Sequence, residues 1–169
     1  ILLAAHQAPS VGLMQPWRFI RIKDKDIRRK LGEEAEKERL NTAEELGARK
    51  DQFLKLKVEG INECAVLLAM VMAPDDGTVV GRRTMPREMA VSSCACAVQN
   101  MWLAARAENL GLGWVSFYDQ STVARILGCP DEAEPLAILC LGPVTEFPPE
   151  PLMSIAGWRD GKPLNSVLY

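Results

Sequence analysis

The chain has 169 residues, of which 48% are hydrophobic and 25% charged. That is the composition of one globular domain able to bury roughly 70% of its unfolded surface, and it excludes a disordered tail, a collagen-like repeat and a mini-protein. With 20 Lys and Arg against 22 Asp and Glu, the net charge of -2 supplies no field to draw in nucleic acid. The longest apolar run, residues 65–73, is under half the roughly 20 residues that a membrane helix needs. Five cysteines, an odd number with irregular spacing, fit reduced thiols in a cytoplasmic protein better than a disulfide framework. The chain opens at Ile1 on residues that already read as helix with no cap before them, so an upstream segment is expected.

The first residues, to Ala8, read as the end of a helix broken by Pro9. Ser10, Gly12 and Pro16 mark a loop that delivers the chain into an alternating strand, Trp17-Arg18-Phe19-Ile20-Arg21-Ile22. Asp24 or Asp26 can cap a charged helix running to about Leu46, on which Ile27, Leu31, Ala35 and Leu40 form a thin apolar stripe. A short helix is predicted over residues 53–59, stopped by Gly60, and residues 65–72 read as a buried strand ended by Pro74. Residues 74–86 form a loop longer than most connections.

Residues 89–108 contain neither Gly nor Pro, and Cys94, Ala97, Val98, Met101, Trp102 and Ala105 recur at helical spacing. This predicts a central helix, apolar over most of its circumference, whose small residues allow close packing against a partner. Gly111-Leu112-Gly113 reads as its C-cap and turn, with a strand following over residues 113–117. Ser121 is expected to cap a helix that ends at Gly128, and residues 136–141 give a last strand. The Pro-rich tail from Gly142 carries Phe147, Trp158 and Tyr169, and it is expected to wrap another surface, such as a second subunit.

The chemistry open to these residues is narrow. A single histidine, His6, excludes multi-His metal sites and reads as a structural helix residue, so no metal site is expected. Cys94 and Cys96 point to different faces of one helix and read as core packing. Arg82 and Arg83 beside Gly81, and Arg159 after Gly157-Trp158, could each clamp a phosphate or simply be solvated. Ser116 follows Trp114 and Val115 in an apolar strand, where a hydroxyl must find a hydrogen-bond partner. Composition and spacing alone end at a mixed helix-and-strand domain whose function stays open.

A resemblance goes further. Ala8-Pro9-Ser10-Val11-Gly12-Leu13-Met14-Gln15-Pro16-Trp17 resembles the flavin-binding loop of the nitroreductase superfamily. Gly81-Arg82-Arg83-Thr84-Met85-Pro86, the stretch from Ala97 to Glu108 and Gly111-Leu112-Gly113-Trp114-Val115-Ser116 together resemble the aerobic 5,6-dimethylbenzimidazole synthases, the BluB family, and Phe147-Pro148-Pro149 and Gly157-Trp158-Arg159 with Pro163-Leu164 extend the resemblance to the tail. The resemblance implies an α+β three-layer fold, a central mostly antiparallel sheet flanked by helices, in an intertwined homodimer with two sites at its interface. It implies reduced FMN as substrate and dioxygen as co-substrate, with fragmentation to 5,6-dimethylbenzimidazole and erythrose 4-phosphate, the reduced FMN coming from a separate flavin reductase.

By position, the resemblance places Pro9, Ser10, Val11 and Leu13 along the flavin ring or ribityl chain, and Val115 and Ser116 against the ring. It puts Arg159 on the phosphate. Ser116 would be the catalytic group, a buried hydroxyl that positions a proton at flavin N5. Residues 30–57 would form a mobile lid that keeps water from the reaction. Two features depart from the family: its Arg-rich phosphate stretch and an essential aspartate fall upstream of the position matching Ile1, and Glu88-Met89-Ala90-Val91-Ser92-Ser93 replaces a Thr-Asp-aromatic-Tyr-Ser-Thr type of segment. An NAD(P)H-dependent FMN nitroreductase or flavin reductase, and a non-catalytic FMN-binding protein, are the alternatives.

Overall fold

A computed structural model of the chain describes residues 1–57, 60–80, 83–84 and 86–168. The predicted helix end at residues 58–59, most of the Gly81-Arg82 loop motif with Met85, and Tyr169 lie outside the described residues. Four strands form one antiparallel sheet: β1 (Trp17–Ile22), β2 (Val66–Met72), β5 (Leu110–Val115) and β6 (Glu134–Pro143), in the order β1-β2-β6-β5. The short strands β3 (Val79–Val80) and β4 (Arg83–Thr84) pair with each other inside the long loop.

Period-two alternation on the two central strands builds a three-layer α+β fold. Leu68, Met70 and Met72 of β2, with Ala137, Leu139 and Leu141 of β6, face α1 (Leu2–His6) and α4 (Arg87–Ala107), where they meet Cys94, Val98 and Met101. Leu67, Ala69 and Val71, with Ile138 and Cys140, face the other way onto Leu31 and Ala35 of α2 (Lys25–Glu45) and Val123 of α5 (Gln120–Leu127). Because β2 and β6 are covered on both faces, their sequences are continuous apolar runs. A third, smaller cluster joins Ala43, Phe53 and Leu56 to Phe117 and Trp158, with α3 (Lys50–Leu54) at its centre.

No disulfide links the five cysteines, and burial pushes the Cys94 thiol up to about 12, which leaves it a protonated packing group. Among the described residues no helix is long and apolar enough to cross a membrane, and no group of His, Cys, Asp and Glu side chains could hold a metal.

Of the two candidate caps of α2, Asp24 is the one used, accepting from the backbone N–H of Asp26 at 2.7 Å and of Ile27 at 3.0 Å. Other sequence expectations are corrected. On that helix Leu40 is 48% exposed, whereas Glu34 is 7% exposed. The buried carboxylate is tolerated because it accepts from the Asp119 backbone N–H at 3.3 Å and pairs with Lys37 at 3.4 Å. Gly111-Leu112-Gly113 is part of β5, and Asn109, with φ of +57°, makes the left-handed step that ends α4. Gly111 is needed for another reason: a Cβ there would come within 2.4 Å of Val144.

Asp119, and not Ser121, caps α5. Its carboxylate accepts from Thr122 N–H at 2.8 Å and from the Ser121 hydroxyl at 2.6 Å, so the serine braces the cap rather than forming it. These hydrogen bonds, Ser121 foremost, pull the Asp119 carboxyl down to about 2. The folded value lies below the unfolded one of about 3.9, so the charged cap stabilises fully above that pH and loses its effect as pH falls through about 2. Asp119→Ala is expected to lower the melting temperature at pH 7, with the gap to the parent protein closing between about pH 4 and 2. A calorimetric gap that does not vary with pH would contradict the charge assignment.

Candidate flavin site

The loop between α1 and β1 is held from both sides. Val11 N–H donates to the Ser93 hydroxyl at 3.1 Å, and that hydroxyl donates to Met89 O at 2.8 Å, fixing the loop to the first turns of α4. Gln15 N–H donates to the Ser10 hydroxyl at 3.1 Å, and Ala73 N–H donates to Pro16 O at 2.8 Å. Between these anchors Gly12 (φ +55°), Leu13 (φ +55°) and Gln15 (φ +42°) all adopt left-handed backbone. For Leu13 and Gln15 that conformation costs about 1 kcal/mol or more each, strain of the kind that collects at binding sites. Leu13 is also 76% exposed, so an apolar side chain is held against solvent on a strained backbone. Pro9 is exposed beside it, and Ser10 and Val11 are half-buried.

Ser116 lies beyond the end of β5 and is exposed, which corrects the expectation of a buried hydroxyl inside a strand. Its backbone is set by the Val115↔Ile138 register and by a tight turn in which Tyr118 N–H donates to Ser116 O at 3.1 Å. Val115 is 2% exposed and packs in the α2–α5 core, so its side chain faces inward and only its peptide groups can meet a ligand.

Arg159 sits in the tail just past Trp158. The tail is less irregular than its prolines suggest, since α6 (Leu152–Ile155) forms one helical turn. Trp158 packs on its own chain: its ring lies 5.9 Å from that of Phe53, and the Phe53 ring lies 5.9 Å from that of Phe117. Ser116 and Arg159 are thus each adjacent to an aromatic of one cluster on α3.

The register shows which residues one chain brings together. The 9–13 loop precedes β1, and Ser116 follows β5; antiparallel pairing across the sheet puts both at the same end of it. They flank opposite edge strands, however, three strand spacings or about 14 Å apart. Two cavities among the described residues, about 440 Å³ beside His6, Gln15 and Arg18 and about 350 Å³ between Trp102 and Trp114, do not include Ser10, Ser116 or Arg159. Trp102, expected on the packed face of α4, is 42% exposed, beside Leu103 at 61% and Trp114 at 38%.

His6 has a structural task, accepting from the Trp17 indole N–H at 3.5 Å. Sequence reasoning did not single out Ser93 as an anchor for the loop, although a serine on the buried face of an apolar helix needs a partner. It also missed Arg49, Gln52 and Phe53, which carry no local signal.

The strained loop leads directly into the edge strand β1 of the three-layer α+β fold. The chain belongs to the nitroreductase family, whose family model matches residues 1–143. Within that class it is 39% identical over 168 residues to the 5,6-dimethylbenzimidazole synthase of Rhodospirillum rubrum, covering 96% of this chain and 78% of that one. Among solved structures it is similar to a BluB-like flavoprotein from Clostridium difficile (TM-score 0.71, 19% identity, 99% of this chain and 85% of that one). An iodotyrosine deiodinase bound to FMN and 3-iodo-L-tyrosine matches equally in fold, with TM-score 0.71, 21% identity and the same 99% and 85% coverage.

Proposed function

We propose that this chain is an oxidoreductase that fragments reduced FMN with dioxygen, giving 5,6-dimethylbenzimidazole, the lower ligand of cobalamin, and erythrose 4-phosphate. The observation that carries the reading is the 39% identity to a 5,6-dimethylbenzimidazole synthase across 96% of the chain. Five cysteines with no disulfide among them favour a cytoplasmic setting.

The residues present suit a flavin. Exposed Pro9 and Leu13 offer an apolar edge to a planar ring, and Ser10 and Val11 line its approach. Arg159 presents an exposed guanidinium suited to bidentate phosphate binding. The exposed Ser116 hydroxyl can donate to or accept from flavin N5, and Val115 contributes its backbone. Reduced FMN, delivered by a separate flavin reductase, is the substrate and supplies the electrons that react with dioxygen. The chain's own work is to bind and orient it, to hold a proton at Ser116, and to exclude water with the outer part of α2 and with α3. Leu31 and Ala35 anchor α2 in the core, whereas beyond residue 37 only Ala43 of that helix is buried, which gives the lid its movable end.

The protein acts as a homodimer with a shared site. The placement of the loop and Ser116 on opposite edge strands, and the exposure of Trp102, Leu103 and Trp114, are both accounted for if a second copy covers these side chains and completes the flavin surface. The test is anaerobic photoreduction of FMN with the full-length protein, admission of oxygen, and product analysis by chromatography and mass. Stoichiometric 5,6-dimethylbenzimidazole is the expected result. Quantitative return of intact FMN, with rapid flavin bleaching by NADPH, would instead make the protein a flavin reductase.

A further inference from the structure

We infer that Arg49 and Gln52 are positioning residues that hold the Arg159 backbone for phosphate binding, latching the tail to the lid. The inference rests on Arg159 being the phosphate ligand, as proposed above. The Arg49 guanidinium lies over the Trp158 ring, 3.6 Å from its centroid, and its Nη2 donates to Trp158 O at 3.1 Å. That carbonyl belongs to the peptide bond leading into Arg159. Gln52 Nε2 donates to Gly157 O at 3.1 Å and to Ala156 O at 3.5 Å. Three successive tail carbonyls therefore point at two side chains of the α3 region, from more than 100 residues away in sequence.

The other side of the turn is fixed as well. Arg159 N–H donates to Met153 O at 3.3 Å, and the Ser154 hydroxyl donates to Arg159 O at 3.4 Å. Gly157, with φ of +62°, supplies the left-handed step that brings these carbonyls round. Every peptide group from 156 to 159 is thus engaged, while the Arg159 side chain stays exposed. A fixed backbone under a free guanidinium reduces the entropy lost when a phosphate is gripped. Because Arg49 and Gln52 belong to the segment assigned to the lid, phosphate binding and lid docking support one another.

The test is a double-mutant cycle on flavin binding, read by quenching of flavin fluorescence with FMN and with riboflavin, which lacks the phosphate. Arg49→Ala is expected to weaken FMN binding about tenfold, the size of one exposed stacking contact and one hydrogen bond lost together. Riboflavin binding should change by less than about twofold, and Arg49→Ala should have no further effect in an Arg159→Ala background. Gln52→Leu, which alters no charge, is expected to show the same selective loss at about threefold.

Equal losses for FMN and riboflavin would overturn the latch in favour of a general structural role. A further FMN loss in the Arg159→Ala background would overturn it in favour of direct contact between Arg49 and phosphate. If Arg159→Ala abolishes the preference for FMN but Arg49→Ala and Gln52→Leu do not, only the latch fails. If Arg159→Ala itself leaves that preference intact, the phosphate assignment fails and takes the latch with it.

Discussion

Ser116→Ala is expected to reduce formation of 5,6-dimethylbenzimidazole by about 10²- to 10³-fold, the usual loss when one hydrogen-bonding or proton-handling group is removed at a reacting centre. The substitution is clean because the backbone at 116 is set by groups other than its hydroxyl. Val115 is locked in the core opposite Ile138, and the Ser116 carbonyl is tied down by Tyr118 N–H. No hydrogen bond within the chain holds the exposed hydroxyl among those described, so its loss leaves no buried group unpaired. FMN affinity should change by less than about fivefold, since one neutral hydrogen bond contributes roughly 1 kcal/mol to ground-state binding. Oxygen should still be consumed, with the electrons appearing as hydrogen peroxide instead of fragmented product. Product formation at the parent rate, measured by chromatography after a single oxygen addition, would remove Ser116 from the chemistry.

Leu139→Ala is expected to destabilise the fold by about 3 kcal/mol, lowering the melting temperature by about 10 °C. Leu139 is fully buried on β6, paired with Leu68 on one side and Trp114 on the other, and it faces the Cys94, Val98 and Met101 side of α4. Truncation opens a cavity between the sheet and the longest apolar helix, where both surfaces are rigid and cannot collapse to fill it. Leu40→Ala on α2 is the contrasting case, since a side chain 48% exposed should cost within about 0.5 kcal/mol. Chemical denaturation of both variants tests the layer assignment, and equal costs for the two would contradict it.

What the sequence by itself determined is what depends on near neighbours in the chain. Alternating residues placed β1 at Trp17–Ile22 with both ends correct, and an apolar run bounded by Pro74 placed β2 within a residue. The uninterrupted 3.6-residue pattern after Pro86 placed α4, and the Pro-Ser and Gln-Pro-Trp elements bracket the loop between α1 and β1, whose left-handed backbone only the structure showed. Periodicity reads these elements because each side chain's direction follows from its own backbone.

Only the tertiary structure decided which surfaces meet. On α2 the burial of Glu34 and exposure of Leu40 reverse the order of hydropathy, because the α5 cap and its Asp119 N–H stand against Glu34 while Leu40 is left 48% exposed. Asp119 displaced Ser121 as a cap because β5 ends and α5 begins two residues earlier than the apolar pattern suggests, and a carboxylate at that point reaches Thr122 N–H. Ser116 came out exposed because β5 begins at Leu110 and has run its length by Val115. The pairing of Arg49 with Trp158 spans 109 residues and rests on a stacking geometry that only chain closure creates. Such contacts are set by long-range packing, to which local periodicity carries no information.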